Sequence, residues 1–140
     1  MNAKEKTMLD RDLISLAEDA RLRAYAPYSG FSVGAALLSK DGRIFIGCNV
    51  ENASYSATVC AERVAFGSAI AAGCREFEKI AIVGGNTGKP IDRFCMPCGV
   101  CRQVMSEVCK TNFEILVWNG EEMRTCRLDA LLPSAFELED

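Results

Sequence analysis

Short apolar runs alternate along this chain with segments of helical periodicity, and that alternation constrains the fold most. Leu9, Leu13, Leu16, Ala17 and Ala20 recur at helical spacing, with Asp12, Glu18 and Arg21 between them, so residues 8–25 are expected to form an amphipathic helix. Tyr25-Ala26-Pro27-Tyr28-Ser29-Gly30 breaks it. Val33 to Leu38 and Ile44 to Cys48 read as strands, and Asp41-Gly42 between them favours a tight hairpin turn. Neither strand alternates cleanly, so both are expected inside a sheet covered on two faces. Residues 61–72 are helix formers that are apolar almost all round, which implies a buried helix, with Gly73 as its C-terminal cap. A strand at 79–84 follows. Next come a helix at 99–109 with Val100, Val104, Met105 and Val108 facing inward, and a strand at 113–118. Asn119-Gly120 signals a second hairpin leading to a weaker strand near 122–128, and a helical turn at 129–132 stops before Pro133. Helices interleaved with strands and hairpins imply an α/β sandwich around a mixed sheet. The 140 residues fit one domain, 1–140, and no repeat, linker or low-complexity tract divides them.

Two counts limit the chemistry. The chain has no histidine and eight cysteines. Without imidazole, Ser-His-Asp, Cys-His and His-Glu-x-x-His mechanisms are excluded. A proton shuttle must be a carboxylate, Lys, Tyr or Cys. A tightly held soft metal must rest mainly on thiolates. The opening residues MNAKEKTMLDRD hold no apolar signal core, and no stretch reaches the ~20 apolar residues of a membrane span. A cytoplasmic location is therefore expected, where clustered cysteines read as metal-binding or catalytic before they read as disulfides. A net charge of −3 without a block of like charge argues against a general grip on nucleic acid.

Cys98-Gly99-Val100-Cys101 follows Pro97 and opens the helix at 99–109. Residues three apart share a helix face, so both sulfurs can meet one ion. The exposed N–H groups of a helix start favour thiolate over thiol. Read alone, the pair also fits a redox dithiol or two small buried residues. Cys60-Ala61-Glu62 opens the other buried helix. Brought together, Cys60, Cys98 and Cys101 can hold one Zn²⁺ per chain and leave a fourth position open, the arrangement of catalytic zinc. Glu62 is then the expected proton shuttle. Residues two apart in a regular helix diverge, so Cys60 and Glu62 converge only if Cys60 occupies the non-helical cap. Three thiolates leave a surplus of about one negative charge on the site. Arg63, beside it, can donate to the ligand sulfurs and offset that charge; on position alone a surface arginine is as good a reading. Cys95 completes a Cys95-x-x-Cys98-x-x-Cys101 run, but the further Cys-Pro of an iron–sulfur motif is missing, and Cys95 stands as a site of oxidation. Cys48, Cys74, Cys109 and Cys126 are expected to be small buried residues.

Cys-Ala-Glu followed by Pro-Cys-x-x-Cys resembles the signature of the zinc nucleoside and nucleotide deaminases in its three-cysteine form. Residues 28–35 (YSGFSVGA), 49–55 (NVENASY), 60–63 (CAER) and 97–103 (PCGVCRQ) are similar to those of the small cytidine deaminases, and the similarity runs from about residue 8 to Phe136. The resemblance implies a three-layer α-β-α sandwich around a mixed five-stranded sheet. It also implies zinc-dependent hydrolysis of cytidine and 2′-deoxycytidine to uridine and 2′-deoxyuridine plus ammonia, in pyrimidine salvage. Glu62 would act first as base and then as acid. Asn49 and Glu51 would bind the ribose hydroxyls, Phe31 would pack on the pyrimidine ring, and Glu62 with the backbone at Ala61 would read the polar edge of the base. The family is homotetrameric with shared sites, so Tyr55 and Phe136 would reach into a neighbouring subunit's pocket. Blasticidin S deaminases share much of the pattern without the full Asn-x-Glu-Asn run found at 49–52. From a different class, a structural zinc module would have four sulfurs, Cys95 among them, and a dispensable Glu62.

Overall fold

The computed structural model describes residues 1–138, so the last two residues of the expected 1–140 domain lie outside it. Its elements run α1 (Ala3–Arg21), β1 (Phe31–Ser39), β2 (Ile44–Cys48), a 3₁₀ turn (Tyr55–Ala57), α2 (Ala61–Ala71), β3 (Phe77–Asn86), α3 (Gly99–Val108), β4 (Glu114–Trp118), β5 (Met123–Arg127) and α4 (Leu128–Leu131). The five strands form one sheet in the order β2-β1-β3-β4-β5. Only β3 and β4 run parallel, joined through α3; the β1–β2, β1–β3 and β4–β5 pairs are antiparallel. That is the expected mixed sheet.

The sheet separates two cores because successive strand residues point to opposite faces. Ala35, Leu37, Ile80, Ile82, Ile115 and Val117 meet Ala65, Phe66 and Ala69 of α2 and Met105 of α3. Their neighbours Ala36, Leu38, Ala81, Val83 and Leu116 meet Leu13, Ile14 and Ala17 of α1. Helices on both faces complete the three layers. The central strands are buried on both sides, which is why β1 shows no alternation. β2 departs from expectation: it is an edge strand, with Ile44 and Ile46 each 38% exposed.

Helix boundaries also shift. α1 begins at Ala3 rather than residue 8, because Asn2 caps it. The Asn2 side-chain oxygen accepts from the Glu5 N–H at 2.9 Å. The first turns bury nothing, so apolar spacing could not mark them. The same helix ends at Arg21, four residues early. α2 buries one face only, with Gly67, Ser68 and Ala71 exposed. It ends as expected at Gly73, whose φ is +95°: the Gly73 N–H bonds to Ile70 O and the Cys74 N–H to Ala69 O, the Schellman pattern. On α3, Val100 is 58% exposed rather than inward; Met105 carries the packing.

One charged pair lies inside. Lys79 on β3 donates to Asp10 on α1 at 2.9 Å, with both side chains almost fully enclosed. The pair ties α1 to the centre of the sheet.

Candidate metal centre and active site

The N-termini of α2 and α3 carry the site. Cys60 caps α2 with extended backbone (φ −72°, ψ 154°), and Cys98 caps α3 in the same way (φ −70°, ψ 168°). Both sulfurs therefore leave the helix axis sideways, beside exposed N–H groups. Cys60 meets the condition under which it and Glu62 can share a site. Cys101, one turn into α3, is buried.

The three sulfurs converge. Cys60 Sγ lies 3.8 Å from Cys98 Sγ, and Cys98 Sγ lies 3.5 Å from Cys101 Sγ. All three ligand atoms fall within 4.8 Å of one another. A tetrahedral zinc with Zn–S bonds of about 2.3 Å requires sulfurs about 3.8 Å apart, so the set fits Zn²⁺ in spacing and in softness. Cys95 is outside the group. Its Sγ packs instead where a side chain on Gly84 would be, beside the Phe31 ring, and burial pushes its thiol up to about 12. The fourth sulfur of a closed structural site is thus missing from the cluster.

Electrostatics distinguish the three. A hydrogen bond from the Cys101 thiol, followed by donation from Arg63 and Cys98, pulls the Cys60 thiol down to about 5. Bonding to Cys60, then burial, pushes Cys101 up. Arg63 Nη2 reaches Cys60 Sγ at 3.6 Å and Thr58 O at 3.3 Å. Arg63 therefore faces the sulfurs rather than bulk solvent. Glu62 is only 4% exposed. Burial is the main influence that raises its carboxyl above the usual range, opposed by its own backbone N–H. A carboxylate whose pKa is moved toward neutrality can both take and return a proton. Ala61, at the first position of α2, is fully buried behind it.

The residues expected to hold the sugar and ring form a second group. A β-bridge pairs Val50 with Val59, which brings residues 49–51 alongside the approach to Cys60. Asn49 is buried; its Oδ1 accepts from the Val33 N–H and its Nδ2 donates to Phe31 O, both at 2.9 Å. Glu51 Oε1 accepts the N–H groups of Tyr28 and Ser29 at 3.0 and 3.1 Å, and Oε2 accepts the Ser29 hydroxyl. Those donors hold the Glu51 carboxyl below its ordinary pKa, the Ser29 hydroxyl most of all. Tyr28, Ser29, Glu51, Tyr55 and Thr58 line a cleft of about 280 Å³. The half-buried Phe31 ring has the Arg93 guanidinium 5.8 Å from its centroid. Tyr55 is 75% exposed, packed edge-on against Tyr28, and Phe136 is 70% exposed. A wider cleft, of about 930 Å³, lies elsewhere, between the end of α3 and residues 132–137.

Ser29 lies in the Tyr28-Ser29-Gly30-Phe31 run, where sequence alone does not mark it as functional. Its signal was weak: a serine in a Pro-Tyr-Ser-Gly turn reads as turn chemistry. Only the fold reveals that its partner is Glu51.

A family model described as the cytidine and deoxycytidylate deaminase zinc-binding region matches residues 7–116. The chain is 45% identical over 129 residues to a cytidine deaminase of Sporosarcina psychrophila, covering 91% of each. It superposes on the crystal structure of cytidine deaminase from Burkholderia pseudomallei with a TM-score of 0.81 at 51% identity, covering 90% of this chain and 98% of that one. Similarity to a blasticidin-S deaminase of Bacillus cereus is lower, 31% over 127 residues and 89% of each chain.

Proposed function

Because the chain belongs to the cytidine and deoxycytidylate deaminase family, we propose that it hydrolyses cytidine and 2′-deoxycytidine to uridine and 2′-deoxyuridine with release of ammonia. The observation that carries the reading is one buried carboxylate, Glu62, beside three converging sulfurs at two helix starts. Cys60, Cys98 and Cys101 would hold one Zn²⁺ per chain. When bound, that ion supplies a Lewis acid that makes water a nucleophile near neutral pH.

Glu62 takes a proton from the attacking water and delivers it to ring nitrogen 3 as the water oxygen bonds to carbon 4. The carbon becomes tetrahedral. Glu62 then takes the second water proton and passes it to the amino nitrogen; the carbon–nitrogen bond breaks and ammonia leaves. One carboxylate serves as base and then as acid, which suits a group whose pKa burial has raised. Arg63 offsets the charge of the thiolates by donating to Cys60. Asn49 and Glu51 bind the ribose hydroxyls, Phe31 packs on the ring, and Glu62 with the Ala61 backbone reads the polar edge of the base.

Tyr55 and Phe136 are assigned to a neighbouring subunit's pocket in a homotetramer. Two large aromatic side chains left mostly in solvent by a single chain support that assignment. A nucleoside deaminase acting in pyrimidine salvage in the cytoplasm fits this reading, and no helix of the described residues is long and apolar enough to cross a membrane. The whole of 1–140 is taken as the catalytic domain. Cytidine is preferred to blasticidin S because the cytidine deaminases are the more similar relatives.

The test is ammonia release from cytidine by the zinc-loaded protein, with Glu62→Gln alongside. The wild type should turn over, and the variant should lose at least the roughly 10²–10⁴-fold supplied by a positioned proton shuttle. Release that persists in the variant would refute the role of Glu62.

A further inference from the structure

The two residues assigned to the sugar also hold the backbone of the residue assigned to the base. Phe31 O accepts from Asn49 Nδ2 at 2.9 Å. The Phe31 N–H donates to Ser29 Oγ at 3.0 Å, and that hydroxyl donates in turn to Glu51 Oε2. A serine hydroxyl has one proton and two lone pairs. Here the proton is directed to the carboxylate and a lone pair to the Phe31 amide. Both ends of Phe31 are thus tied to the sugar pair, one directly and one through Ser29. The Tyr28 and Ser29 N–H groups occupy Glu51 Oε1, so Ser29 Oγ is the group that fixes the other oxygen.

We infer that Ser29 is a positioning residue that couples recognition of the sugar by Glu51 to placement of the Phe31 ring against the base. The inference rests on the roles proposed above for Glu51 and Phe31. Without the hydroxyl, Glu51 Oε2 loses its fixed donor and the Phe31 N–H loses its acceptor. Both changes fall on groups assigned to substrate binding, and neither hydrogen bond involves Glu62. The side chain is exposed, so its removal leaves no cavity.

The experiment measures kcat and KM for cytidine on the zinc-loaded enzyme carrying Ser29→Ala, Ser29→Thr, Glu51→Gln, and Ser29→Ala with Glu51→Gln. Ser29→Ala is expected to raise KM about tenfold with kcat within about twofold, the pattern of lost uniform binding. Ser29→Thr, which keeps the hydroxyl, should restore KM. In the Glu51→Gln background, adding Ser29→Ala should raise KM less than it does alone, because the two act as one unit. An unchanged KM in Ser29→Ala, or an equal penalty in both backgrounds, would overturn the coupling. A loss confined to kcat and melting temperature would overturn it as well, by showing a merely structural turn. A wild type that releases no ammonia from cytidine would instead overturn the function on which the inference rests.

Discussion

Gly47 on β2 sits where the edge strand meets the first turn of α2. A Cβ built there would strike the carbonyl oxygen of Ala61, and would lie 2.7 Å from the Ala65 amide nitrogen and 3.1 Å from Val64 Cβ. The two nearest atoms are helix backbone and cannot rotate aside. For Gly47→Ala to fit, the amide nitrogen alone must recede to 3.4 Å, where ordinary contact begins. The start of α2 is displaced with it, and that turn carries Cys60, Ala61 and Glu62. Overpacking of this kind costs about 1–3 kcal/mol. For a chain of this length that is a fall in melting temperature of about 3–12 °C. Displacement of a catalytic group by about 1 Å costs about 10²-fold in rate. The assay is a thermal melt of the zinc-loaded variant together with kcat for cytidine. Both should fall, and kcat should fall when measured well below the new melting temperature. Wild-type values of both would refute the claim that contact with β2 fixes the first turn of α2. A lowered melt with wild-type kcat would refute the claim that this position sets the reach of Glu62.

Lys79→Met should destabilise the fold by about 3–5 kcal/mol in urea denaturation, because Asp10 is left as an uncompensated buried charge. Adding Asp10→Leu should restore much of that loss, whereas an unaffected single variant would show that the pair contributes little.

The layered architecture was legible because each hairpin is marked by its own turn chemistry. Asp41-Gly42 and Asn119-Gly120 both place glycine at positive φ, +92° and +98°. The convergence of Cys60 with Glu62 reduced to one condition, extended backbone at Cys60, and φ −72° with ψ 154° meets it. Edge position was not legible in β2. Ile44, Phe45 and Ile46 form an apolar run, but strand order is a long-range property, and the run ends up half in solvent. Val100 misled for a local reason. It is the second residue of α3, two after the capping Cys98, and faces solvent. The start of α1 was hidden because capping by Asn2 forms the first turns without burying them. The links from Asn49 and Ser29 end on the backbone of Phe31, the first across 18 positions, and leave no periodic trace.

The most direct test of the account is X-ray absorption at the zinc edge of the loaded protein. Three sulfur scatterers at about 2.3 Å and one lighter oxygen neighbour are expected, the signature of a site with an open catalytic position. Four sulfurs would bring Cys95 into the centre, close the position that water must occupy, and contradict the account.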